Sequence, residues 1–111
     1  MTCTRLNPVQ DYFLYSGSTT VSNSVQTLKN VGTLTGTWVV IGMVANTSTA
    51  TVALQCRLVG SSTGTYLNAQ KIERSQQNII SAIFKDESVR LESFCPTQNG
   101  ADWKISGVRV A

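Results

Sequence analysis

No histidine occurs in this 111-residue sequence. Its absence removes the usual general base near neutral pH, the commonest metal ligand, and both the Ser-His-Asp and the Cys-His arrangements. Zinc held without histidine needs four cysteines, and only Cys3, Cys56 and Cys95 are present, far apart and without C-x-x-C spacing. No G-x-x-x-x-G-K-[ST] cradle for a phosphate occurs; the loop Gly60-Ser61-Ser62-Thr63-Gly64 has the glycines but not the lysine. No run approaches the ~18 apolar residues of a membrane helix, and no basic stretch followed by an apolar run marks a secretory signal. An odd number of scattered cysteines fits free thiols in a reducing cytosol, with a Cys3–Cys95 bridge left open.

Charge is also sparse. Charged residues make up 14% of the chain, against an ordinary quarter or so. The basic residues are spread along the chain, with Glu73, Asp86, Glu87 and Glu92 among them. That is an ordinary solvated surface and not the basic stripe of a nucleic-acid binder. Asp86 and Glu87 with Glu92 or Asp102 are the only candidates for paired glycosidase carboxylates. A charged turn and exposed strand faces explain them more simply. Cys56, on the apolar face of a strand, reads as a small core residue. Neither a catalytic residue, nor a metal, nor any other cofactor is expected.

What fills the chain is Ser, Thr and Asn among short apolar runs, the composition of a β-rich domain. Gly36-Thr37-Trp38-Val39-Val40-Ile41-Gly42-Met43-Val44-Ala45 is apolar at both parities, so a strand here has no wet face. After Asn46-Thr47-Ser48-Thr49 the chain alternates, with Val52, Leu54, Cys56 and Leu58 on one side. The two read as a β-hairpin. Further strands are expected at 10–15, 19–31 (one or two), 65–72, 78–84, 88–94 and 103–110. Turns are expected at Ser16-Gly17-Ser18, at Lys85-Asp86-Glu87 and at Asn99-Gly100, and a bulge at Gly107. About eight short strands and no convincing helix predict an all-β, single-domain, jelly-roll-like β-sandwich. A chain of this length hides roughly two-thirds of its unfolded surface, so neither metal nor disulfide is needed. Trp38 and Trp103 would anchor the core. Tyr12, Tyr15 and Tyr66 are less determined and are the candidates for a sugar-stacking platform.

Two features point to interaction. Residues 1–9 (Met1, Thr2, Cys3, Thr4, Arg5, Leu6, Asn7, Pro8 and Val9) form a polar lead-in ahead of a domain at 10–111. They have too few apolar groups to fold alone and read as an arm that contacts a partner. The second feature is the apolar excess of 37–45 and 78–84. A two-layer sandwich buries one face of each sheet, so the surplus must be covered by loops or by another subunit.

Gly36-Thr37-Trp38-Val39-Val40-Ile41-Gly42 and Trp103-Lys104-Ile105-Ser106-Gly107-Val108-Arg109-Val110, in a chain of this length and character, resemble the capsid decoration or staple proteins of epsilon15-like tailed bacteriophages. The resemblance implies a jelly roll outside an icosahedral shell, made in the host cytoplasm and located on the virion. It implies a major capsid protein as partner, self-association with a dimer favoured, and no catalysis, nucleic acid or membrane. The alternative is a receptor- or glycan-binding tip of a tail fibre. A chain beginning at its own Met and carrying no shaft repeat favours decoration.

Overall fold

The computed structural model describes residues 11–61, 64–69 and 71–111, with the backbone alone at 64–66, 68 and 69. The described residues form six strands: β1 (Tyr12–Val21), β2 (Gln26–Asn46), β3 (Gln55–Gly60), β4 (Gly64–Ala69), β5 (Gln77–Phe94) and β6 (Asn99–Arg109). All pairings are antiparallel, in the order β1-β6-β2-β5-β3-β4.

β2 and β5 are far longer than an ordinary strand, and both bend midway. Their pairing slips between Leu34 and Thr37, where Thr35 and Gly36 stand against the single residue Asp86. Gly36 has φ +95° and Asp86 φ +52°. The glycine tolerates that region without strain, and the acid is among the few side chains that visit it. The Asp86 carboxylate accepts the Gly36 N–H at 2.7 Å, which pins the bend. Counting each bent strand as two gives eight segments. They pair first with last, second with seventh, third with sixth, and fourth with fifth, as a long hairpin rolled on itself. One layer holds β1, β6, residues 37–46 of β2 and residues 77–85 of β5. The other holds residues 26–34 of β2, residues 87–94 of β5, β3 and β4. This is a jelly roll, the sandwich expected from the strand spacing.

The core lies between the layers. Val40, Val44, Ala82, Phe84 and Ile105 come from the first, and Leu58, Val89, Leu91 and Cys56 from the second. A fully buried Val, Leu, Ile or Phe contributes about 1.5–3 kcal/mol relative to exposure. The layers touch at Gly42, where a Cβ would stand 2.8 Å from Leu91 Cδ1 and 3.0 Å from Leu58 Cδ2. Trp38 is buried, its indole N–H donating to Thr35 O at 3.0 Å. Trp103 is only half-buried and lies flat over Gly17.

The expected hairpin is not formed. Residues 37–46 pair with β5 and β6, while β3 sits in the opposite layer beside β5. Asn46 explains the difference. Its side-chain amide donates to Ala50 O (2.6 Å) and Ile72 O (3.0 Å). Its Oδ1 accepts from Ser48 N (2.9 Å), Ser48 Oγ (3.0 Å) and Asn99 Nδ2 (3.0 Å). The polar stretch after Val44 is therefore a buttressed crossover between layers. Val52 bridges Ile72 on the way, and the regular strand begins only at Gln55. Three expected turns also lie inside strands: Ser16-Gly17-Ser18 in β1, Lys85-Asp86-Glu87 in β5 and Asn99-Gly100 in β6. Gly107 makes no bulge. Its pairing is regular on both sides, and it points inward beneath the Phe13 ring.

Candidate interaction surface

The outer side of the first layer carries the unusual chemistry. Strand parity turns Val40 and Val44 inward and leaves Val39, Ile41 and Met43 on the outside. The register then aligns their neighbours. Tyr12 lies opposite Val108, Val108 opposite Val39, and Val39 opposite Ile83, making one apolar row across all four strands. The next row is Leu14, Ser106, Ile41 and Ser81, and the third is Ser16, Lys104, Met43 and Ile79. Tyr12, Leu14, Ile41, Ile79, Ile83 and Val108 are exposed, from 44% at Ile41 to 61% at Ile83, while Val39 and Met43 are half-buried. Val110 adds to the patch beyond the first row.

Among the described residues no loop folds over this face. Lys85 lies beyond the first row and Asp102 beyond the third, while Lys104 stands within the third row between Ser16 and Met43. Near the Asp102 end, Ser16, Gly17, Ser18, Met43, Asp102, Trp103 and Lys104 line an open depression of about 350 Å³. There Ser18 Oγ donates to Asp102 Oδ1 at 2.5 Å.

The face was partly legible in the sequence, through the double apolarity of 37–45 and 78–84. Tyr12, Leu14, Val108 and Val110 were missed as members. Simple alternation around Phe13, and around an inward Gly107, was the signal that would have found them. The arm residues 1–9, Cys3 among them, lie outside the described residues.

The remaining candidates are dispersed. Tyr12 is on the outer face, while Tyr15, three residues on, has the opposite parity and lies beneath Lys29 Nζ, 4.1 Å from its ring centroid. With Trp38 buried and Trp103 against Gly17, these four aromatics form no common platform; the side chain of Tyr66 lies outside the described ones. The carboxylates are likewise engaged separately. Asp86 holds the bend, Asp102 takes the Ser18 hydroxyl, Glu87 is buried, and Glu92 is clamped by Arg57 (3.0 Å) and Arg90 (2.8 Å). Among the described residues, no three Cys, Asp or Glu side chains gather as a metal site. Cys56 and Cys95 are both free and buried, and burial pushes the Cys56 thiol up to about 12. A thiol so held is no nucleophile at neutral pH.

No family model and no curated protein matches this sequence. Solved structures do match the fold. A chain from the disulfide-linked pili of Bacillus endospore appendages aligns with a TM-score of 0.60 at 8% identity, over 99% of this chain and 98% of that one. A chain of infectious bursal disease virus, Gx strain, aligns with a TM-score of 0.53 at 12% identity, over 98% of this chain and 36% of that one. At such identities the likeness speaks to the jelly-roll fold.

Proposed function

We propose that this protein is a non-enzymatic structural component of a particle surface, and specifically a capsid decoration protein that staples neighbouring major capsid subunits. The observation that carries the reading is the broad apolar outer face on a sandwich whose core is already complete. A patch that adds nothing to the fold of the single chain is explained by burial in an assembly. The kinds of assembly from which the structural neighbours come, a pilus and a virus, are in keeping with a building-block role.

A staple requires a rigid body with two contact regions and no reactive groups. Because it binds the assembled lattice and not the free subunits, it stabilises the shell by mass action. The contact regions proposed for the capsid are residues 1–9 and the open edges of β1 and β4, since an extended segment can add to a neighbouring sheet. Purified protein mixed with empty shells is expected to rebind them and raise their dissociation temperature. Deleting residues 1–9 is expected to reduce shell occupancy. Failure of the intact protein to bind shells refutes the stapling role, and undiminished occupancy after the deletion refutes the role of the arm.

A subunit of a self-assembled appendage is the second reading, favoured by the end-to-end alignment with the pilus chain. A disulfide-linked version needs thiols that reach a neighbour; of the three cysteines, Cys56 and Cys95 are enclosed in the core and Cys3 lies outside the described residues. Filaments in micrographs of the purified protein would favour this reading over decoration.

A further inference from the structure

We infer that the free edge of β1, from Tyr12 to Ser18, takes an extended, uncharged segment of a shell subunit as an added strand. The inference rests on the stapling reading above and deepens it, choosing one edge of the sandwich and the residues that serve it.

The hydrogen-bond pattern decides which groups are on offer. Arg109 N–H donates to Asp11 O at 2.9 Å, and β1 pairs with β6 without a register shift from Tyr12 to Val21. In a regular antiparallel pair alternate residues turn both main-chain groups to the partner, so the odd-numbered residues of β1 serve β6. Tyr12, Leu14, Ser16 and Ser18 therefore turn their N–H and C=O away from the sheet. Among the described residues nothing pairs with that side until Thr20, whose carbonyl accepts from Gln26 Nε2 at 3.2 Å. Edges of this kind are ordinarily blunted by a charge, a proline, a bulge, shortness or a covering segment. β1 is 10 residues long and carries no charge, proline or bulge. β4, at the other edge, is only 6 residues long.

Side chains say what fits there. Tyr12 and Leu14 are exposed on the outer side, while Phe13 and Tyr15 take the opposite parity. An added strand meets apolar groups on both of its sides at this end, and hydroxyls at Ser16 and Ser18. A matching segment has β-branched or aromatic residues toward one end, small polar ones toward the other, and no charge. A second β1 laid antiparallel along residues 12–18 is a poor match. It sets Tyr12 against Ser18 and Leu14 against Ser16. About seven residues span the ladder, roughly 20 Å, and an extended backbone satisfies its alternating donors and acceptors.

Amide hydrogen exchange tests this, read residue by residue on the free protein and on protein released from empty shells after exchange. In the free protein Phe13, Tyr15 and Gly17 are expected to exchange slowly, and Leu14, Ser16 and Ser18 fast. On shells the fast set should slow at least tenfold. Ser16→Pro removes one outward N–H without touching the β6 ladder, and should weaken shell binding about tenfold or more; Ser16→Thr should not. Ser16→Lys, which keeps the backbone and puts a charge on the edge, should weaken binding likewise if the proline alters the near-ultraviolet circular dichroism spectrum. Bound protein whose Leu14, Ser16 and Ser18 amides stay fast overturns the inference and leaves stapling standing, as does undiminished binding by folded edge variants. Slowing of these amides in the free protein as its concentration rises also overturns it, because a second copy then holds the edge. Protein that fails to sediment with shells overturns both readings.

Discussion

Replacing Asn46 tests whether the crossover between layers is held by its side chain. In Asn46→Ala five side-chain hydrogen bonds disappear, but their partners do not suffer equally. Ile72 O keeps the Val52 N–H at 3.1 Å, and Asn99 Nδ2 keeps Gly100 O at 2.7 Å. Ala50 O and the Ser48 groups lie near the surface and regain water. The loss is therefore well below five full bonds. At about 0.5–1.5 kcal/mol for each net bond, with partial recovery and a small void, it comes to about 2–4 kcal/mol. Asn46→Asp keeps the size and the acceptor but replaces the amide donor with a second acceptor aimed at Ala50 O and Ile72 O. It also places a charge at a site only 1% exposed. Its loss should equal or exceed that of alanine. Urea unfolding measures both, with the m-value expected to stay constant because the fold is unchanged. A loss under ~1 kcal/mol for Asn46→Ala, or an aspartate milder than alanine, refutes the reasoning.

Gly42→Val forces a branched side chain between Leu91 and Leu58, and overpacking of this kind costs about 1–3 kcal/mol; a thermal scan in which the variant melts no lower than wild type contradicts the layer contact. Glu92→Ala leaves Arg57 and Arg90 side by side without their carboxylate. Because those side chains are 27% and 42% exposed, water screens them, and about 1–2 kcal/mol is expected, less at high salt. The Cys56 thiol is raised from 9.0 to about 12 by desolvation, so the folded chain keeps a proton that the unfolded chain releases between those values. That stabilisation is whole below pH 9 and is lost as pH rises through about 12, at about 1.4 kcal/mol for each pH unit within the window. Cys56→Ala should flatten the fall in stability between pH 9 and 11, and at pH 8 a maleimide should label Cys56 and Cys95 only after unfolding.

The strand content was legible because it is written locally. Alternation around Val52 to Leu58, and double apolarity at 37–45 and 78–84, required nothing but side-chain parity. The connections were not, because they depend on residues distant in sequence. Asn46-Thr47-Ser48-Thr49 has the composition of a hairpin turn, and only Ile72 and Asn99, 26 and 53 positions away, make it a crossover. The glycines misled for a related reason. Gly17 and Gly107 read as breaks in a strand, yet each sits within one. An aromatic ring (Trp103 and Phe13 respectively) occupies the space a side chain would need. Gly36 does mark a change of direction, but the chain bends there without leaving the sheet.

The double apolarity follows from the position of its strands in the rolled hairpin. Residues 37–46 lie between β6 and β5 in the first layer, so their inner parity meets Leu58 and Leu91 and their outer parity occupies the centre of that layer's outside. β3 is also flanked on both sides, by β5 and β4, yet its outer parity carries Gln55 and Arg57 beside a buried Val59, with Arg57 paired to Glu92. The two strands are paired alike, but their outer residues differ in both chemistry and exposure, Val59 and Glu92 being buried where Ile41 and Ile83 are exposed. Strand pairing therefore does not account for Ile41, Ile79 and Ile83, since Arg57 and Glu92 satisfy the same geometry on the other side. The fold would be as well served by threonines there. What these residues add is an apolar surface that would gain free energy if covered, which is the property the proposed structural role needs.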